Sequence, residues 1–343
     1  MIVKGKATSL DIAHLAGVSQ PTVSRALRGS PMVNAETRQR IVEIARQLNY
    51  KVDKNASNLR CRQSGTLALL FFEDPTPDDS LINPFFHSML GSITRACALH
   101  GQDLLVSFQQ LSSDWHADFE ESNKADGIIL LGYGDYHECE GRLQRLVQQG
   151  THFVRWGAAL PGQPGVSIGS DNFQGGAEVT THLLEQGCRQ VAFLGHASSH
   201  YPEFAERYRG HVHALRQAGL RADPRLQRDA ISTEDAGYQA CRALLADGLA
   251  FDAVCAASDL IAIGALRALR EHGLEVPGQV AVSGFDDIPL AASVSPSLTT
   301  VQQDTKRAGQ LLVERLLARI AGEPVEGMNI PTRLVVRASS LRR

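Results

Sequence analysis

Twelve histidines, six cysteines and 37 Asp and Glu side chains are enough to build a metal or catalytic centre, so their spacing is the first question. His196 with His200, and His211 with His213, are the close histidine sets, and neither has HExxH spacing with a third ligand in view. Cys61, Cys97, Cys139, Cys188, Cys241 and Cys255 are scattered and form no CxxC pair. That argues against zinc and reads as the reduced thiols of a cytoplasmic protein. The glycine-rich GYGDYHECEG matches neither a P-loop nor a GxGxxG turn, and no GxSxG elbow is present. No catalytic residue, metal or cofactor is therefore expected. The chemistry left is recognition, and it concentrates in QPTVSR, where Gln20, Pro21, Thr22, Ser24 and Arg25 surround an apolar Val23. An arginine fork presented there can pair bidentately with the O6 and N7 edge of a guanine.

Three short helices must position those side chains. Thr8 caps the first, with Asp11 three residues on, and Ile12, Leu15 and Ala16 supply its apolar face. Gly17 ends it and admits the positive φ of a tight turn. Ser19 caps the second, with Pro21 in its first turn, where a missing N–H does no harm. Val23, Ala26 and Leu27 face inward. Asn34 caps the third, which runs to about Leu48 on Ile41, Ile44, Ala45 and Leu48. Helix, glycine turn and protruding helix make a helix-turn-helix, whose second helix can present its N-terminal residues to a major groove.

Charge agrees with this reading. Residues 1–63 hold eleven Lys and Arg against four Asp and Glu, a net of +7, which leaves −10 of the chain's −3 for the remainder. A basic head on an acidic body suggests a polyanionic partner for the head. No apolar run is long enough to span a membrane or to form a signal-peptide core, so no membrane partner is expected.

TSLDIAHLAGVSQPTVSRAL and the following NAETRQRIVEIARQLNYKVDKNASNLR closely resemble the headpiece of the lactose/galactose repressor (LacI/GalR) family. The resemblance implies that Gln20, Pro21 and Arg25 read bases. It implies that Thr8, Ser19, Thr22, Ser24, Asn34 and Tyr50 hold the phosphate backbone. Pro21 offers no side-chain hydrogen bond, so its base contact can only be apolar. NASNL matches the family's hinge segment, too short and polar to be a stable helix alone. There the resemblance implies that Asn55 and Leu59 order over operator DNA, with paired Leu59 side chains wedged into the minor groove.

Beyond Thr66 the chain alternates apolar runs with amphipathic helices. The runs are TLALLFF, DLLVSF, GIILLG, HFVRWG, VAFLGH, AVCAAS and VAVSGF. That pattern predicts parallel sheets flanked by helices, with enough strands for two lobes and ligand-binding loops at the carboxyl ends of the strands. The family resemblance extends through this body, in NPFFHSMLGSITRACALHG, SDNFQGGAEVTTHLLEQGCRQVAFLGH, ERYRGHVHALRQAGL and DLIAIGALRALREHGLEVPGQVAVSGFDDIPLA among others. The expected fold is an N-terminal all-α helix-turn-helix headpiece and an α/β periplasmic-binding-protein-like core of two lobes with parallel sheets. The headpiece would span 1–54, the hinge 55–63 and the core 64–343. The N-lobe would hold about 64–160 and 292–324, the C-lobe about 161–291 and 325–343, with crossings near 160, 291 and 325.

By position in the family, the effector residues would be Asn83, Phe85, Trp156, Asp171, Arg207, Ser258 and Asp286. Ser258 stands where many relatives carry Asn. A carboxylate can accept from two neighbouring hydroxyls, an arginine donates through a rigid fork, and a tryptophan face suits a sugar or a purine. Alternatively, Asp171 and Asp286 cap turns and Trp156 is core. The resemblance implies a homodimer on a near-palindromic double-stranded operator, repressing carbohydrate genes under control of a mono- or disaccharide. Rival readings are a purine, another metabolite or a protein corepressor as effector, activation in place of repression, and a sugar-binding protein that regulates no DNA.

Overall fold

The structure, a computed structural model, describes residues 7–27, 29–50, 64–72, 82–132 and 134–342. It divides into two compact units, residues 1–64 and 65–343.

The first unit has three helices: α1 (Ser9–Ala16), α2 (Gln20–Leu27) and α3 (Ala35–Gln47). Thr8 and Asp11 form a reciprocal capping box, in which the Asp11 carboxylate accepts from the Thr8 amide at 2.8 Å. Gly17 takes φ +62°, which a side chain would resist. The Asn34 side chain accepts from the Thr37 amide at 2.8 Å. The core of this unit is Ile12, Ala13, Ala16, Val23, Ala26, Val33, Ile41 and Ala45. Leu15, expected on the inner face, is 57% exposed. On so short a helix the stripe centres on Ile12, Ala13 and Ala16, and the rotation of 100° per residue carries Leu15 past its edge.

The second unit is built from two sheets. One is six-stranded and parallel, in the order β11-β5-β4-β3-β1-β2. Its strands are β1 (Thr66–Phe71), β2 (Asp103–Phe108), β3 (Gly127–Leu131), β4 (Phe153–Trp156), β5 (Val166–Ser170) and β11 (Met328–Ile330). Helices α4 (Pro84–Leu99), α5 (Tyr136–Gln148) and α10 (Thr305–Ile320) belong to this N-lobe, α10 packing on α4 and on β3 and β4. The second sheet is parallel, in the order β7-β6-β8-β9, from β6 (Val191–Leu194), β7 (Gln227–Arg228), β8 (Ala253–Ala256) and β9 (Ala281–Ser283). Around it lie α6 (Asn172–Glu185), α7 (Pro202–Gln217), α8 (Glu234–Ala246) and α9 (Asp259–Glu271). An antiparallel pair, β10 (Thr300–Gln302) with β12 (Arg333–Val335), completes the C-lobe side.

All seven apolar runs contain strands: β1, β2, β3, β4, β6, β8 and β9. The lobe boundaries differ from those expected. Because β5 and β11 pair into the first sheet, the crossings fall at about residues 171, 303 and 331, not near 160, 291 and 325. VSIGS and MNI are too polar to read as strands alone; pairing makes them so, β5 between β4 and β11, and β11 at the sheet edge.

Each strand is buried where it faces helices, and one close approach sets the C-lobe geometry. A Cβ at Gly176 would lie 2.2 Å from the Arg207 carbonyl oxygen, and one at Gly210 would lie 2.0 Å from that of Phe173. Helices α6 and α7 therefore touch backbone to backbone, and only glycine permits it. Among the described residues no helix is long and apolar enough to cross a membrane, and no group of His, Cys, Asp or Glu could hold a metal ion.

Candidate effector cleft and nucleic-acid interface

On the head, Pro21 and Arg25 are exposed at the start and middle of α2, with Thr22 and Ser24 half-buried beside them. Gln20 donates to the Ser9 hydroxyl at 2.9 Å and so fastens α2 to α1. Ser19 precedes α2, its carbonyl accepting from the Thr22 and Val23 amides and its hydroxyl meeting that of Thr22 at 2.9 Å. Thr8 and Asn34 are exposed helix caps. Tyr50 packs against the small core, leaving its ring half-buried. Asn55 and Leu59 lie outside the described residues.

In the core, the polar centre of the C-lobe is Arg207. It sits one turn into α7, 1% exposed, its guanidinium 3.8 Å from the Phe285 ring centroid and 5.2 Å from that of Phe204. Its Nε donates to Asn172 Oδ1 at 2.8 Å, and its Nη1 lies 3.6 Å from Asp286 Oδ1. Asp286 follows β9 with φ +119°, its amide bonded to the Val301 carbonyl and its Oδ1 accepting from Gln303 Nε2 at 2.6 Å. Burial pushes the Asp286 carboxyl up to about 7, against the opposing pull of Arg207 and Gln303. Asp259, fully buried beside it, is pushed further above its usual range by burial and by the charge of Asp286, although Thr300 and the Ile288 amide donate to it. A non-glycine residue at φ +119° is strained, and here the β10 crossing segment holds it in place.

Asn83 and Ser258 are joined across the lobes. Asn83 caps α4, accepting from the Phe85 amide at 3.0 Å, and its Nδ2 donates to Ser232 Oγ at 3.2 Å. Ser232 in turn donates to Ser258 Oγ at 2.8 Å, and Ser258 caps α9. Trp156 and Phe85 are buried against each other, ring centroids 6.0 Å apart. Asp171 stands apart from Arg207: its carboxylate caps α6, accepting from the Gln174 amide at 3.0 Å, and its neighbour Asn172 makes the contact to Arg207.

A cavity of about 50 Å³ lies on the Trp156 side, walled mostly by N-lobe residues, Trp115, Tyr136 and Arg155 among them, with Pro202 and Glu203 of the C-lobe; of the expected effector residues only Trp156 lines it. Glu203, in the first turn of α7, accepts from the Ala158 amide of the N-lobe at 2.8 Å. Arg155 lies 5.3 Å over the Tyr136 ring and donates to Gln163; its Nε has no partner among the described residues. Burial lowers the Arg155 guanidinium, an effect opposed chiefly by the charge of Glu203. Sequence reasoning missed Asn172, Arg155, Glu203, Ser232, Asp259 and Gln303. Only Arg155 carried a readable signal, as a charge inside the apolar run HFVRWG.

Comparison with known proteins places both units. Residues 8–53 match the description "Bacterial regulatory proteins, lacI family", and residues 180–340 match "Periplasmic binding protein-like domain". The chain is 31% identical over 334 residues to the HTH-type transcriptional regulator CelR of Thermobifida fusca, covering 96% of each. It is 33% identical over 342 residues to the regulator MalR of Streptomyces coelicolor, covering 96% of this chain and 95% of that protein. A solved complex of CelR with cellobiose matches with a TM-score of 0.72 at 31% identity, covering 97% of this chain and 99% of that one. The lac repressor dimer bound to operator and the anti-inducer ONPF shares the fold, with a TM-score of 0.82 at 24% identity over 98% of this chain and 100% of that one. A helix-turn-helix head of this capping pattern, a two-lobed parallel-sheet core and kinship with regulators along nearly the whole length lead to one conclusion: the chain belongs to the LacI family and is a DNA-binding transcriptional regulator, not an enzyme.

Proposed function

We propose that the protein represses carbohydrate uptake and catabolism genes, and that a neutral mono- or disaccharide held between its lobes controls operator affinity. The observation that carries this reading is charge balance at the cleft. Arg207 faces Asp286, and the charge of Arg155 is offset by Glu203. A phosphorylated sugar would need a cationic surplus. A polyhydroxylated neutral ring instead finds alternating donors and acceptors, with the flat faces of Phe285 and Trp156 nearby. The cellobiose complex of CelR supports a glucoside as the ligand class.

In this reading Arg207, Asp286, Asn83 and Ser258 bond the sugar, Trp156 and Phe85 bound it, and Asp171 orders the crossing it caps. A homodimer would bind a near-palindromic operator. Gln20, Pro21 and Arg25 would read bases; Thr8, Ser19, Thr22, Ser24, Asn34 and Tyr50 would hold phosphates; Asn55 and Leu59 would serve the hinge. The test is a fluorescence titration of labelled palindromic and random DNA at fixed salt, with and without cellobiose, maltose, glucose and galactose. Fixed salt is required because phosphate contacts make affinity strongly salt-dependent. A sugar that shifts affinity for one palindrome by tenfold or more supports the reading. A purine that does so where no sugar does replaces the ligand class. Equal binding to all DNA under every condition refutes the proposed sequence-specific repressor.

A further inference from the structure

The rim of the cleft carries contacts that the effector reading does not use. Asp135 caps α5 with one carboxylate oxygen, Oδ1, which accepts from the His137 amide at 2.9 Å. Its other oxygen, Oδ2, meets His200 Nδ1 of the opposite lobe at 2.7 Å. Three more contacts join the same short segments. The Tyr136 amide donates to the His200 carbonyl at 2.8 Å. His137 Nε2 meets Ser199 Oγ at 2.9 Å. The His137 and His200 rings stand edge to face, centroids 4.5 Å apart. Residues 135–137 follow β3 and 199–200 follow β6, so every one of these contacts must break if the lobes part here. Tyr136 also walls the cavity, which places the rim segment directly over the open space.

We propose that Asp135, His137, Ser199 and His200 form a proton-responsive latch between the lobes, tightened when His200 is protonated. The physical basis is the change in the Asp135–His200 contact. With a neutral imidazole it is an ordinary hydrogen bond; with an imidazolium it becomes a charge-assisted pair. Asp135 is suited to the anionic role: partial burial pushes its carboxyl up, but the bonds from His200 and the His137 amide outweigh that and hold it below the usual carboxylate range. The other charged neighbours shape the response. Glu140 lies 4.0 Å from His137 Nδ1 and offsets charge on that ring, whose own protonation would otherwise repel His200. Arg155 sits beneath Tyr136. His196, earlier in the His200 loop, is engaged by Asp229 at 3.6 Å and stacked on Tyr201, and faces no group of the latch that would compete for Asp135. Both partners are partly exposed, His200 at 52% and Asp135 at 23%, so the closed form gains a shift of about two- to fivefold, as expected of exposed pairs.

The chain contains two tryptophans, Trp115 and Trp156, and both wall the cavity under the latch. Acrylamide quenching of their fluorescence in the full-length protein, from about pH 8 to about pH 5.5 where imidazoles titrate, therefore reads closure directly and needs no ligand. The parent protein should become about two- to fivefold less quenchable as pH falls. Asp135→Asn keeps the helix cap and an acceptor but removes the charge, so it should flatten the profile without lowering the melting temperature at pH 8. His200→Gln should flatten it too, while His196→Gln should leave it intact. A profile unchanged in D135N and H200Q, or one abolished by H196Q, overturns the latch.

Discussion

Arg207 is the residue on which the core's polar chemistry turns. Its charge is buried against Asp286, Asn172 and two phenyl rings. Arg207→Ala leaves Asp286 uncompensated and should destabilise the core by about 3–5 kcal/mol, measurable as a lower urea midpoint. Arg207→Lys should recover only part of this, because an ammonium cannot replace the planar fork. Two buried groups give the stability opposite pH slopes. Burial pushes Asp286 up to about 7, so between about pH 4 and that value the native state binds more protons than the unfolded chain, and stability falls as pH rises. Asp286→Asn should reduce this slope and leave the part that comes from the neighbouring Asp259, whose carboxyl burial also raises. His211, buried beside Thr180, is pushed down to about 3, so its contribution is present above about pH 6.5 and is lost as pH falls toward 3. His211→Gln should flatten the acid limb of a melting-temperature profile if the amide fills the ring's place. On the head, Arg25→Ala should cost about 1–3 kcal/mol of discrimination at one base pair, seen as relaxed specificity at a single operator position.

Helices and strands show why some of the molecule was legible in its sequence and some was not. The head could be read almost residue by residue because Thr8, Gly17 and Asn34 each do a local job that side-chain chemistry announces. Six of the seven apolar runs were legible for a like reason, since a doubly covered strand must be apolar throughout; DLLVSF, the exposed edge strand β2, was legible by its apolar composition alone. β5, β7, β10 and β11 were not, since each is short and partly polar and is held as a strand by its pairing with neighbours, whereas RLVVRAS, apolar at its centre, reads as a strand and contains β12. The cleft divides in the same way. Arg207 and Asp286 were placed together by family position, and the structure brings them within 3.6 Å. Asn172, Ser232 and Gln303 are neutral residues in loops or at helix starts, and only tertiary proximity singles them out. The backbone contact of α6 with α7 adds a prediction at this scale. Gly210→Ala should force the helices apart and cost on the order of 1–3 kcal/mol; because Arg207 lies one turn earlier on α7, sugar affinity should fall in the same variant at temperatures well below its unfolding midpoint.

The whole molecule is a DNA-binding head joined to a two-lobed core, and thermodynamics constrains the coupling proposed between them. If a sugar lowers operator affinity by some factor, operator must lower sugar affinity by the same factor. Titrating the sugar with and without saturating operator checks this, and unequal factors would mean that one of the two titrations was not at equilibrium. The three lobe crossings have a consequence for biosynthesis. The N-lobe is discontinuous: α10 and β11, which complete its helical layer and add the strand beside β5, are made only after the whole of the C-lobe's principal sheet. On the ribosome the head emerges first and can fold on its own contacts, while the first lobe waits, unfinished, until about residue 330 has appeared. A chain stopped anywhere between about residue 64 and residue 328 would therefore carry the three helices of the head beside an N-lobe that lacks its last strand.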